Sequence, residues 1–275
     1  MSNTPRLTRN EQREAARAKA RAMREAQKRN ASRKKVIIIS SIVAAVAIFV
    51  TTIVLTVTNE VNNPVPTAAK PANMDFDGGI KFGKGLQVIT DKTDQADAPT
   101  IIVYQDMQCP NCRDFEVPNN AQLRDWVNTG KYTLQIHPIS FLDGRGTPNE
   151  YSSRAASALV CVANGDPNKF LDFNSALFDN QPEEGTMGPS NNELAERAKT
   201  VGVNNTPVLD CIKNSTYQDY VLSYTQDTVF ARDIPGTTLR VNGTPFIVLN
   251  GQHFQGNWTN PAEFAQWVQT TAPRS

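Results

Sequence analysis

Two histidines and four cysteines stand among the 275 residues, and their scarcity limits what the chain can do. His137 and His253 are isolated, and only Cys109 and Cys112 lie close together. A structural zinc site takes four thiolate or imidazole ligands at matched spacings. No second Cys-x-x-Cys is present to complete one. The pair is therefore not read as half of a metal site, and each histidine is read as a strand or loop residue with an ordinary hydrogen bond. No cofactor is called for. Internal repeats are missing, as are low-complexity tracts beyond a basic N-terminal stretch. One sizeable domain with extensions remains, and 39% apolar residues are enough to give it a packed core.

Charge is missing altogether from residues 36–58, a stretch of 23 residues whose only polar members are Ser and Thr. As a helix rising ~1.5 Å per residue it would be ~35 Å long, enough to cross a ~30 Å hydrocarbon core with some tilt. Residues 6–35 carry twelve Lys/Arg against three acids, whereas the residues after Thr58 carry sixteen Lys/Arg against twenty-four Asp/Glu, a net charge of −8. The positive-inside rule puts such a basic head in the cytoplasm. The expected arrangement is a single-pass anchor with residues 1–35 cytoplasmic and the rest extracytoplasmic. A cleaved signal peptide would have a shorter apolar region, ~7–15 residues, although Thr67-Ala68-Ala69 offers a weak cleavage site. The head has alanine, glutamate and arginine in helical order, which suits an interfacial helix at an anionic leaflet. No aromatic residue is interleaved with its charge, so nucleic acid is not the expected partner.

Residues 59–73 contain three prolines and small polar residues and read as a linker. The body then alternates strand and helix patterns. Residues 86–90, 100–104, 132–136, 246–249 and 252–255 read as strands, with Asn250-Gly251 as a hairpin turn between the last two. Residues 111–128 have helical spacing, and Pro118 is expected to kink or interrupt that helix. Residues 148–232 form a block of apolar helical stripes. Asn260-Pro261 is an N-cap followed by a first-turn proline, opening a final helix. The class is α/β, with residues 74–147 and 233–275 as the sheet-containing part and residues 148–232 as a helical insertion.

Cys109-Pro110-Asn111-Cys112 sits at the start of a helix directly after a buried strand. A helix N-terminus carries partial positive charge and unpaired N–H groups, and both stabilise a thiolate on the first cysteine. The second thiol lies one turn on and can close a disulfide with the first. Thiolate is the attacking species, so a lowered pKa keeps it available and makes it a good leaving group. A purely structural disulfide is the alternative for this pair. Cys161 and Cys211 both lie on apolar stripes of the helical block and are each other's natural partners outside the membrane. Such a bond would close a loop of ~50 residues and add ~3–5 kcal/mol in the chain-entropy model. A second redox pair that shuttles electrons is the alternative there.

The segment from Tyr104 to Glu116, Tyr-Gln-Asp-Met-Gln-Cys-Pro-Asn-Cys-Arg-Asp-Phe-Glu, resembles the active-site segment of DsbA-like thiol–disulfide oxidoreductases of the thioredoxin superfamily. Gly243-Thr244-Pro245-Phe246 is similar to that family's Gly-Thr-Pro-x segment. The resemblance runs from about Leu86 to the C-terminus. It implies a thioredoxin fold with an inserted helical domain, here preceded by a transmembrane helix as in the membrane-bound proteins of Gram-positive bacteria. Cys109 would be the exposed nucleophile and Cys112 the buried resolving cysteine. Pro245 would be cis and would hold substrate backbone near Cys109, with Thr244 tuning the thiolate. The implied activity is disulfide formation in reduced exported proteins, with reoxidation by a membrane partner of the DsbB or vitamin K epoxide reductase type. Asn111 departs from the histidine of strongly oxidising enterobacterial members and supplies only a dipole where they have a cation. A reductase or isomerase, for example in cytochrome c maturation, is the rival within enzymes. A non-catalytic, membrane-tethered binding module is the rival outside them.

Overall fold

A computed structural model describes Met23 and residues 71–74, 77–90, 98–143 and 150–272. Apart from Met23, the basic head lies outside the described residues, as do residues 36–58 and most of the linker. Among the described residues no helix is long and apolar enough to cross a membrane. The chain divides between Pro66 and Thr67, and the description below concerns the second unit alone.

The unit is built on a mixed six-stranded sheet: β1 (Ile80–Gly83), β2 (Gln87–Ile89), β3 (Thr100–Gln105), β4 (Thr133–Pro138), β5 (Phe246–Leu249) and β6 (Gln252–His253). The strand order is β2-β1-β4-β3-β5-β6. Only β3 and β4 are parallel, and the crossover between them is α1 (Pro110–Thr129), since a parallel pair needs a long connection. Every residue of β4 and β5 is buried, the pattern of strands covered on both faces. Among the described residues five α-helices lie between β4 and β5: α2 (Tyr151–Gly165), α3 (Phe170–Asp179), α4 (Asn191–Thr200), α5 (Thr206–Lys213) and α6 (Gln218–Ser223). A π-helical segment, Tyr224–Val229, continues α6, and α7 (Pro261–Thr271) closes the fold.

The main core joins Ile101 and Val103 of β3 to Phe115 and Leu123 of α1, Phe170 and Phe173 of the helical block, and Phe264 of α7. Tyr104 and Val248 alternate away from their strand neighbours into a second cluster with Tyr224 and Val229. His137 belongs to that second region. It is stacked 4.2 Å from Tyr104 and bonded through Nδ1 to the Tyr224 hydroxyl at 2.5 Å, and burial pulls its pKa down to about 3. It is a neutral core residue.

Three local features differ from or extend the sequence reading. β1 has no clear signal in the sequence, yet it forms because it pairs with β2 on one side and β4 on the other. The kink expected at Pro118 does not interrupt α1, which runs continuously to Thr129. The carbonyl that Pro118 leaves without an N–H partner belongs to Asp114, on an exposed turn where water can solvate it. The last helix meets the sequence reading at its start, where the Asn260 side chain accepts from Ala262 and Glu263 N–H.

Cys161 of α2 and Cys211 of α5 are joined by a disulfide across a sequence separation of 50. Cys161 is buried and Cys211 half-buried, so only the first is as enclosed as its apolar stripe suggests. Closing that loop restricts the unfolded chain by roughly 4 kcal/mol. Replacing both cysteines with alanine is expected to lower Tm by about 10 °C. Thermal unfolding followed by circular dichroism checks this, and a change under 3 °C would place the bond outside the stabilising role.

Candidate active site

The site forms where β3 ends. The strand delivers Asp106, Met107 and Gln108 in sequence, then Cys109 as the N-cap of α1 with extended backbone (φ −74°, ψ 118°). Pro110 takes the first helical position, where its fixed φ fits and its missing N–H is no loss. The Cys109 carbonyl accepts the first helical hydrogen bonds, from Cys112 N–H at 3.0 Å and Arg113 N–H at 3.3 Å. One helical turn thereby places Cys112 beside Cys109. Both are free thiols and both are buried, Cys109 6% and Cys112 1% exposed, so Cys109 is not the exposed sulfur that the resemblance implies, because it packs 3.3 Å from the Thr244 carbonyl.

The other wall arrives from 135 residues further along. β5 pairs antiparallel with β3 so that Tyr104 faces Phe246. Continuing that register past the strand ends carries Thr244 and Pro245 alongside Asp106 and Gln105. The Thr244–Pro245 peptide bond is cis. The Cys109 thiol donates to the Thr244 carbonyl at 3.3 Å, while the Thr244 hydroxyl is buried with no other partner and can serve an ionised sulfur.

The two thiols differ sharply in acidity. Cys109 is pulled down to about 6, first by its hydrogen bond from the Cys112 thiol, then by Thr244 and by the backbone N–H groups of Cys112 and Asn111, against the opposing effect of burial. Cys112 is pushed well above the ordinary thiol value by burial and by sharing its proton with Cys109. The pair is poised as one thiolate and one thiol, the arrangement in which only the outer sulfur attacks or leaves.

Asp106 and Glu116 are charged residues of the motif whose setting emerges only in three dimensions. Asp106 is wholly buried. Its carboxylate accepts from Gln108 N–H at 2.8 Å, Leu142 N–H at 2.9 Å and the Ser152 hydroxyl at 2.7 Å. Its own N–H points at Cys112 Sγ, 3.4 Å away. Burial, only partly offset by those hydrogen bonds, raises its pKa to about 7, and the Cys109 charge adds to the rise. Glu116, buried on the next turn of α1, is likewise raised to about 7 by burial, and Asn174 and Ser175 of α3 donate to it. Sequence reasoning singles out neither residue. A carboxyl that ends a buried strand three residues before a cysteine was the available signal for Asp106.

The arrangement can exchange a disulfide for two thiols. It joins an acidic thiol, a shielded partner and a wall of backbone carbonyl beside the reactive sulfur, and these features define a thioredoxin-type redox site. The Thioredoxin family model matches residues 94–270, so the chain belongs to that family, as a DsbA-like thiol–disulfide oxidoreductase. The solved structure of reduced DsbA from Mycobacterium tuberculosis is similar at 26% identity and a TM-score of 0.56, covering 70% of this chain and 91% of that one. DsbG from the same organism is similar at 26% identity and a TM-score of 0.56, covering 72% and 89%. Among curated proteins, the serine/threonine-protein kinase PknE of M. tuberculosis H37Rv is 33% identical over 155 residues, 54% of this chain. The match covers about a quarter (26%) of that kinase.

Two tests follow from the acidities. Alkylation of Cys109 in the reduced protein by iodoacetamide is expected to rise through pH 6 and level off above pH 7, with Cys112 unreactive; a midpoint near the ordinary thiol value would contradict the assignment. Asp106 and Glu116 have folded pKa values raised to about 7, above the unfolded carboxylate value of about 4, so the native state binds protons that the unfolded state has released. Their contribution to stability is greatest below pH 4 and is lost as pH rises towards 7. The Asp106→Asn, Glu116→Gln variant is expected to lose stability less than the parent between pH 4 and pH 7, measured by urea unfolding at each pH.

Proposed function

We propose that this chain is an extracytoplasmic catalyst of disulfide formation in exported proteins, with Cys109 as nucleophile and Cys112 as resolving thiol. The observation that carries this reading is the setting of the two sulfurs, Cys109 at the N-cap of α1 beside the Thr244 carbonyl and Cys112 enclosed one turn on; it lowers the pKa of the first thiol, raises that of the second and so favours handing the disulfide away. In the forward reaction a substrate thiolate attacks Cys109 of the Cys109–Cys112 disulfide. The S–S bond breaks, Cys112 leaves and takes up a proton, and a mixed disulfide links Cys109 to substrate. A second substrate thiolate then attacks the substrate sulfur of that bond and releases Cys109 as thiolate. Two electrons pass from the substrate dithiol to the enzyme dithiol. Thr244 and Pro245 support the substrate backbone during attack, and the Asp106 N–H stabilises the charge that develops on Cys112.

Residues 36–58 would anchor the enzyme, with the basic head inside and the redox domain outside. Tethering raises its effective concentration near emerging substrates and near a membrane reoxidase of the DsbB or vitamin K epoxide reductase type, which would return the electrons to a quinone.

A thiol held below its ordinary range stabilises the reduced enzyme and so favours the oxidising direction. Asn111 supplies a dipole and no cation to that thiolate, which goes with a moderate oxidant. Equilibration of the Cys109–Cys112 pair with glutathione should give a potential above about −270 mV and below about −120 mV, and Asn111→His should raise it. A potential at or below about −270 mV, with insulin reduction and no oxidative refolding, would favour the reductase reading instead.

The kinase match favours a second reading, a tethered binding module. Full biological activity of a Cys109→Ser, Cys112→Ser variant would support it.

A further inference from the structure

Residues 180–190, which join α3 to α4, are irregular backbone held in place by side chains from three other elements. The Gln108 amide donates to the carbonyls of Glu183 at 3.1 Å and Thr186 at 3.0 Å. Gln181 reaches the opposite way, donating to the carbonyls of Met107 at 3.2 Å and Cys109 at 2.9 Å. Arg154 of α2 donates to the carbonyls of Met187 and Pro189, and Arg197 of α4 donates to that of Asn180. Gly188 has φ +58° and lies against Tyr151, where a Cβ would come within 2.5 Å of the ring. Gln108 accomplishes its part while its own Oε1 stays buried without a partner. A buried acceptor left unpaired is unfavourable, so holding this segment against the cysteine motif outweighs that penalty.

These bonds engage the backbone and leave several side chains outward, Glu183, Glu184 and Met187 among them. Glu183 and Glu184 are exposed, and Met187 is 57% exposed, one of few large apolar side chains left open among the described residues. Residues 180–190 contain two carboxylates and no Lys or Arg. The segment is one hydrogen bond from the backbone of Cys109. A peptide joined to Cys109 advances ~3.3 Å per residue, so its residues two to four positions from the cysteine reach ~7–13 Å. Methionine adapts its shape to varied apolar partners.

We propose that residues 181–187 form a second substrate-contact surface. It would select extended, cysteine-bearing segments that carry Lys or Arg within a few residues of the cysteine, with an apolar neighbour seated on Met187. This rests on Cys109 being the nucleophile. Glu183 and Glu184 steer the cationic segment by charge, an effect that salt screens. Met187 holds it by apolar contact.

The test uses the oxidised enzyme and two synthetic single-cysteine peptides, one flanked by lysines and one by glutamates. Each rate is divided by that of the same variant with uncharged β-mercaptoethanol, which removes changes in the intrinsic reactivity of Cys109. The parent is expected to prefer the lysine peptide about tenfold at low salt, with the preference shrinking several-fold in 0.5 M salt. Glu183→Lys, Glu184→Lys should reverse the preference, and Met187→Ser should slow both peptides several-fold. An unchanged preference in the charge-reversed variant would overturn the proposal. Failure of the parent to react even with β-mercaptoethanol would instead remove the oxidoreductase reading beneath it.

Discussion

The register between β3 and β5 is the constraint on which the site depends. Pairing Tyr104 with Phe246 sets two strand ends side by side although their residues are far apart in sequence. One end runs into Asp106 and the cysteine helix, and the other follows directly from Thr244-Pro245. A slip of one residue would turn every side chain on β5 to the other face. Val248 would leave its cluster with Tyr104 and Tyr224, and the Thr244 carbonyl would leave Cys109. The helical block ties β3 to the cysteine helix through Asn174, which accepts from Gln105 at the end of β3 and donates to Glu116 of α1.

The chemistry follows from burying two sulfurs unequally. Cys109, capping α1, gains donors for its ionised form, whereas Cys112, one turn inside, gains enclosure. Two carboxyls accompany them into the interior, and a buried carboxyl is tolerated only with dedicated donors. Asp106 takes its donors from three places: the cysteine loop, the segment after β4 and the start of α2. The same residue thus ties the helical block to the sheet and keeps a titratable group beside the redox pair.

Much of this was legible in the sequence because it is local. The β-branched run at 100–104 followed at once by Cys109-Pro110-Asn111-Cys112 encodes strand, cap and helix within a few residues, and Asn260-Pro261 encodes a helix start in two. Thr244-Pro245 was legible by resemblance, as a motif partner of the cysteines. What stayed hidden depends on partners remote in the chain. β1 is a strand only because β2 and β4 flank it. The continuity of α1 through Pro118 was hidden because solvent exposure of Asp114 is a tertiary fact. Gln181 bonds to Cys109 across 72 residues, and no local pattern marks it.

The central claim is that Cys109 forms the bond to substrate and that Cys112 is its buried partner, leaving when Cys109 is attacked and displacing substrate in the reverse direction. Trapping tests it most directly. A Cys112→Ala variant of the full chain, expressed in cells and recovered after acid quenching, should carry exported proteins in mixed disulfides through Cys109 that are released by reductant. Recovery of that variant with Cys109 as a free thiol and no reducible adducts would contradict the account.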